Sequence, residues 1–199
     1  NRLKAGALDL PEPGEKTAAP DGLRFPSGTA LEKWDAYASG AIEVQDSGSQ
    51  IACLAAGAAP GQSVIDLCAG AGGKSLALAA AMDNRGVVVA CDIDRDRLSR
   101  LPPRAERAGA SIVTTRLLNP DRELEALSDW VGRADLVLVD APCSGTGTWR
   151  RNPEARWRLT PQALARYAAI QSRLLDIAVS LVRPGGRLVF VTCSLLDRE

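Results

Sequence analysis

Five short apolar runs divide the chain: "SVIDLCA" (63–69), "GVVVACD" (86–92), "ASIVTT" (110–115), "ADLVLVD" (134–140) and "GRLVFVT" (186–192). Their apolar character is continuous rather than alternating and is rich in Val, Ile and Leu, as in strands buried on both faces of a parallel sheet. Helices are expected between them, at 43–57, 73–82, 94–108, 121–131 and 160–182. Asp94 is placed to cap the third helix. Thr160 is the N-cap of the last, with Pro161 at its first position. "RPGG" (183–186) then supplies a helix stop and a tight turn. Strand–helix alternation with right-handed crossovers implies an open α/β sheet with helices on both faces. Such sheets bind ligands at the carboxyl ends of their strands.

Residues 1–30, with "PEPGEKTAAPDG", have no sustained period and read as a loop or the tail of a preceding domain; residues 31–199 hold the sheet. A chain of 199 residues fits one such domain, and 46% hydrophobic with 24% charged residues is a globular balance. Formal net charge is zero, so any nucleic-acid binding must come from a local patch. No apolar run approaches the roughly 20 residues of a membrane helix, and no signal peptide is visible. Five widely spaced cysteines without a CxxC argue against a disulfide framework or a zinc knuckle and for a reducing cytoplasm. The chain starts at Asn1 without a Met and stops at Glu199 just after a strand, the expectation for a fragment of a longer protein. There is no histidine. Histidine-based triads and metal sites are therefore excluded within these residues, and acid–base work falls to Asp, Glu, Lys, Tyr or Cys.

The turn "DLCAGAGGKS" (66–75) leaves the first run and enters a helix. Its glycines let backbone approach a ligand, and the helix start offers N–H groups to a polar or anionic partner. It matches neither GxGxxG nor a Walker loop, so a tight turn with no ligand remains the alternative. Asp92 ends the second run about 20 residues beyond the glycines, where Rossmann-like sheets bind ribose hydroxyls. An adenosine-containing cofactor follows, either a dinucleotide or S-adenosylmethionine.

The fourth run delivers Asp140 and then Pro142 and Cys143, and the fifth delivers Thr192, Cys193 and Ser194 to the same edge. A lone strand cysteine is usually a small buried hydrophobe, the reading given to Cys53 and Cys91. Two thiols and a carboxylate at neighbouring strand tips suggest a reactive pocket instead. Directly after it, "WRRNPEARWR" (149–158) sets four arginines against one glutamate. Guanidinium groups pair with phosphates and, like the faces of Trp149 and Trp157, stack on unpaired bases. A solvated loop with tryptophans over the core is the alternative.

These motifs resemble those of the Sun/RsmB and Nop-type RNA cytosine-5 methyltransferases. The resemblance covers about residues 40–199 and rests on "VQDSGSQ" (44–50), "DLCAGAGGKS", "DIDRDRL" (92–98), "DAPCSGTG" (140–147), "RRNPEARW" (150–157) and "VTCSLLDRE" (191–199), in that order. "RLKA" (2–5) looks like the end of the small RNA-binding domain that precedes this core in the family. The resemblance implies a Rossmann-like methyltransferase fold, truncated here after its fifth strand, with S-adenosylmethionine as cofactor. It implies that Cys68, Ala69, Gly70, Ala71, Gly72, Gly73, Lys74 and Asp92 bind that cofactor, with Asp140 at the junction between cofactor and base. Cys193 would be the nucleophile, Asp140 would stabilise the adduct by being protonated or sharing a proton with base N3, and Cys143 would assist release. Lys74 would contribute positive charge, and Trp149, Arg150, Arg151, Arg156 and Trp157 would bind RNA, ribosomal in preference to transfer RNA. A metal-free, cytoplasmic monomer is expected.

Two positions depart from the family pattern. Gly70 and Ala71 stand where the turn usually has Ala-Pro, and Leu117 and Leu118 stand where an acid usually follows the third strand. Asn119 and Asp121 are the nearest polar substitutes. The missing acid favours a rival reading, an RNA-binding module with a decayed methyltransferase site. A nicotinamide-dependent oxidoreductase would share the glycine turn and Asp92 but would not need two thiols or the Arg/Trp loop.

Overall fold

The structure is a computed structural model and describes residues 8–199; the segment 2–5 lies outside the described residues. Strands β1 (Glu15–Lys16) and β2 (Leu23–Arg24) form a small antiparallel pair, followed by helices α1 (Asp35–Ala38) and α2 (Ser47–Ala56). The sheet and its helices are β3 (Ser63–Asp66), α3 (Gly73–Ala81), β4 (Val87–Asp92), α4 (Arg95–Leu98), α5 (Leu101–Ala108), β5 (Val113–Leu117), α6 (Glu123–Ala126), β6 (Ala134–Asp140), α7 (Pro161–Leu181) and β7 (Val182–Val191).

All four pairings in this sheet are parallel, in the order β5-β4-β3-β6-β7. The order reverses between β3 and β6, which opens a crevice where their carboxyl ends diverge. Successive residues of the central strands feed opposite cores. Val64, Val88, Leu136 and Leu138 pack with Leu78, Met82 and Leu101 on one face. Ile65, Val89, Val137 and Val139 pack with Leu174, Ile177 and Leu181 of α7 on the other. This is why β3, β4 and β6 carry unbroken apolar runs. The edge strand β5 does not: Thr114 and Thr115 are exposed.

Several boundaries differ from the expectation. Helix α2 starts at Ser47 rather than 43, β3 ends at Asp66, and the stretch 121–131 holds only α6 and a 3-10 turn at Ser128–Trp130. Three further differences have a visible cause. The stretch 94–108 divides into α4 and α5, because Pro102 and Pro103 lack the N–H groups that would continue one helix and instead sit in the first turn of the next. The third strand starts at Val113, since Ala110 N closes the end of α5 on Ala105 O and Ile112 N is held by the Asn84 side chain. Residues 183–186 do not separate helix from strand. Val182 already pairs with Ala134, and the register shift before Arg187 pairs with Leu136 accommodates Gly185 at φ +74°. The expected caps are present, with Asp94 accepting from Arg97 N at 3.0 Å and Thr160 Oγ1 from Ala163 N at 3.1 Å. Among the described residues no helix is long and apolar enough to cross a membrane.

Candidate active site

The glycine turn is held from below and behind. Asp66, fully buried at the end of β3, accepts from Ser75 Oγ at 2.7 Å, and burial pushes its carboxyl up to about 7. Gly70 (φ +55°) and Gly72 (φ +84°) occupy left-handed conformations that other residues adopt at a cost. A Cβ on Gly72 would also lie 2.1 Å from Leu101 Cδ1. Asp92 fixes the opposite rim, its two oxygens accepting from Gly70 N at 2.7 Å and Asp94 N at 2.8 Å. Arg104 Nη1 donates to Ala71 O, and Gln45 Nε2 donates to Gly73 O at 3.1 Å. Leu118, where the resemblance led one to expect an acid, is buried in the apolar core beside β4.

Lys74 is the first cation after the turn. Its Nζ donates to Asp140 Oδ2 at 2.6 Å and to Ser49 Oγ at 3.2 Å, tying α3 to the end of β6 and to the start of α2. The positive charge expected of Lys74 is thus engaged by the Asp140 carboxylate. Three other cysteines are poor nucleophiles. Burial pushes the Cys53 thiol up to about 12 and raises Cys68 and Cys91 as well. Cys68 also packs against the apolar core.

Cys143 and Cys193 meet. Asp140 pairs with Val191 across β6 and β7, so both chains leave the sheet at the same level, and the two sulfur atoms lie 3.3 Å apart. Cys193 is exposed and Cys143 partly so. A hydrogen bond between the thiols draws Cys143 down to about 6 and, with burial, pushes Cys193 up; the Gly145 N–H adds to the stabilisation at Cys143. The pair titrates as a unit, so an easy first deprotonation belongs to both sulfurs.

The basic loop follows a short 3-10 turn, Thr146–Thr148, and ends in a second, Pro153–Arg158. Trp157 is 77% exposed, with the Arg156 guanidinium 4.5 Å above its ring. Arg150 is exposed, whereas Trp149 is partly buried. Arg151 Nη1 pairs with Asp46 Oδ2 at 2.8 Å, which joins the loop to the N-cap of α2, three residues before Ser49. Ser49, Gln45, Ser144, Gln171 and Glu199 are site residues that sequence reasoning passed over. Gln45, Ser49, Ser144 and Glu199 all lie in quoted motifs, but nothing in the sequence shows the contact of Glu199 with Ser144, which spans 55 residues. Among the described residues, no group of three or more Cys, Asp or Glu side chains is arranged to hold a metal.

A parallel sheet whose order reverses beside a glycine turn is the architecture of the S-adenosylmethionine-dependent methyltransferases. Residues 54–199 match the family model described as 16S rRNA methyltransferase RsmB/F, and the chain belongs to that family. It is 34% identical over 200 residues to ribosomal RNA small subunit methyltransferase B of Salmonella paratyphi B, covering 98% of this chain and 44% of that protein. Among solved structures, PH0851 superposes with a TM-score of 0.81 at 36% identity, covering 88% of this chain and 39% of that one. NSun6 from Pyrococcus horikoshii, solved with the S-adenosylmethionine analogue SFG, gives a TM-score of 0.75 at 26% identity, covering 88% and 43%. The chain thus spans less than half the length of these relatives. S-adenosylmethionine is the family's cofactor, which decides against the nicotinamide reading.

Proposed function

We propose that this domain methylates carbon 5 of a cytosine in ribosomal RNA through a covalent adduct on Cys193. The observation that carries the reading is the pair of thiols, 3.3 Å apart, at adjacent strand ends beside Asp140 and the glycine turn. The residues present fit the cofactor. A Cβ on Gly73 would meet only Gln45 Nε2, at 3.9 Å, so backbone at the start of α3 is open to a ligand. The N–H groups of that first turn suit a carboxylate. Each Asp92 oxygen accepts one N–H and keeps a lone pair for a ribose hydroxyl. Cys68 to Lys74 and Asp92 thus hold the cofactor, with Asp140 at its junction with the base.

When bound, S-adenosylmethionine supplies an electrophilic methyl group to the C5 of an activated cytosine. Activation is the work of Cys193. Its thiolate adds to C6, and the electron pair of the C5–C6 double bond becomes available at C5. Asp140, one oxygen of which is engaged by Lys74, stabilises the adduct by sharing a proton with N3, which offsets the negative charge that the added thiolate brings to the ring. The C5 proton passes to water, the electron pair of its bond restores the double bond, and the S–C6 bond breaks to regenerate the thiolate, a release that Cys143 assists. Arg150, Arg151 and Arg156 bind phosphates, while Trp149 and Trp157 flank the strand; the exposed Arg156–Trp157 stack offers a flat cationic face to an unpaired base. Five free thiols accord with action in the cytoplasm.

The test is transfer of labelled methyl from S-adenosylmethionine to ribosomal RNA, followed by digestion to nucleosides. Label in 5-methylcytidine, lost in Cys193→Ala, is the expected result. Label at another position contradicts the cytosine chemistry. RNA binding without transfer would establish the decayed binding module instead.

A further inference from the structure

Each of the two adjacent strands β6 and β7 is followed by a Cys-Ser dipeptide, Cys143-Ser144 and Cys193-Ser194. The dipeptides face each other twice, sulfur to sulfur at 3.3 Å and hydroxyl to hydroxyl at 3.1 Å. Against the hydroxyl side lies the carboxylate of Glu199. Its Oε1 accepts from Ser144 N at 2.8 Å and from Gln171 Nε2 at 3.3 Å. Its Oε2 accepts from Ser194 Oγ at 2.7 Å and from Ser144 Oγ. Gln171, 5% exposed on α7, also donates to Pro142 O at 2.9 Å, one residue before Cys143. Among the described residues, the donors to Glu199 are all neutral. Burial works against its charge, yet the Ser144, Ser194 and Gln171 hydrogen bonds hold its carboxyl below the ordinary range.

We infer that Glu199 is a positioning residue: by clamping Ser144 and Ser194 from a single carboxylate, it sets the separation and facing of the Cys143 and Cys193 sulfur atoms. The catalytic meaning of this clamp rests on the proposed function, but the geometry does not. Neither thiol lies within a paired strand, since the ladder ends at Asp140 and Val191. Beyond it the β7 turn is tied to the other by Gly147 N to Cys193 O at 2.9 Å, by Leu195 N to Thr146 Oγ1 at 2.7 Å, and by Glu199. Of these ties, only Glu199 grips both serines. The proton inventory is consistent: each serine hydroxyl gives its one hydrogen to the carboxylate, and the Thr146 hydroxyl is left to donate to Ser194 Oγ, 3.3 Å away. Two groups acting on one cytosine ring must be held to reacting distance, and a misplacement of about 1 Å can cost about 100-fold in rate.

The distance between the thiols can be read without RNA or cofactor. Diamide oxidises neighbouring thiols to a disulfide: the two sulfurs join, each gives up its proton, and the azo group takes both hydrogens to become the hydrazine. In the wild type a fast Cys143–Cys193 cross-link is expected, identified by peptide mapping. Glu199→Ala is expected to cross-link at least about tenfold more slowly and to lose about 10- to 100-fold in kcat with little change in KM for S-adenosylmethionine. Glu199→Asp should recover part of both. The Glu199 charge itself raises the Cys143 thiol, so removing charge alone would quicken oxidation; slowing therefore reports position. Wild-type cross-linking in a folded Glu199→Ala protein would overturn the inference. Should that variant fail to fold, Ser144→Ala and Ser194→Ala each remove one leg of the clamp, and undiminished cross-linking in both overturns it equally. Slower cross-linking in a protein that methylates no RNA would sink the proposed function and leave the clamp standing.

Discussion

At the residue scale, the site depends on what a second sulfur does to the first. The chain has no histidine to take a thiol proton, and the structure supplies another acceptor in its place, the neighbouring sulfur. Alkylation of the Cys143–Cys193 pair by iodoacetamide should therefore rise through pH about 6 in the wild type. The sign follows from the cause: the hydrogen bond favours the thiolate, so removing its donor raises the midpoint. In Cys193→Ala it is expected to move up towards the ordinary thiol value of about 8.5. A midpoint that stays near 6 would contradict the pairing. The two cysteines and Asp140 were legible because each follows an apolar run that fixes where it emerges. The pairing of Lys74 was not legible, because Asp140 and Ser49 come to it from segments 66 and 25 residues away. Sequence showed a cation near the pocket but not the carboxylate that engages it.

At the scale of elements, the central strands were the easiest to read, since burial on both faces forces unbroken apolar runs. The edge strand β5 starts later than its apolar run because Ala110 and Ile112 are held by the end of α5 and by Asn84. Helix breaks followed local chemistry that a periodic pattern smooths over, as at Pro102 and Pro103. The glycine turn shows how tightly an element can be specified. Gly72 combines φ +84° with Leu101 Cδ1 at 2.1 Å from any added Cβ. Gly72→Ala should cost about 2–4 kcal/mol from the backbone conformation and overpacking together. Thermal unfolding would then show Tm lower by roughly 5–15 °C. An unchanged Tm would mean that Leu101 and the turn yield freely, and with them the geometry assigned to the cofactor site.

At the scale of the molecule, the reversal of strand order between β3 and β6 brings the cofactor turn, the thiol pair and the basic loop to one edge. Zero net charge leaves the arginines of 150–158 as a local basic patch on a neutral body, the patch to which the proposed function assigns the attraction for RNA. The order of motifs in the sequence was enough to place these parts in one family. Their cross-links, through Asp46, Ser49 and Glu199, became visible only in three dimensions. Trapping the covalent intermediate distinguishes the roles of the two sulfurs. Cys143→Ala and Cys193→Ala, prepared separately in the full-length protein, are mixed with total RNA and S-adenosylmethionine and run on a denaturing gel. A protein–RNA adduct that accumulates in Cys143→Ala and is absent from Cys193→Ala is the predicted result. An adduct that accumulates only in Cys193→Ala would reverse the roles of the two thiols and contradict the account.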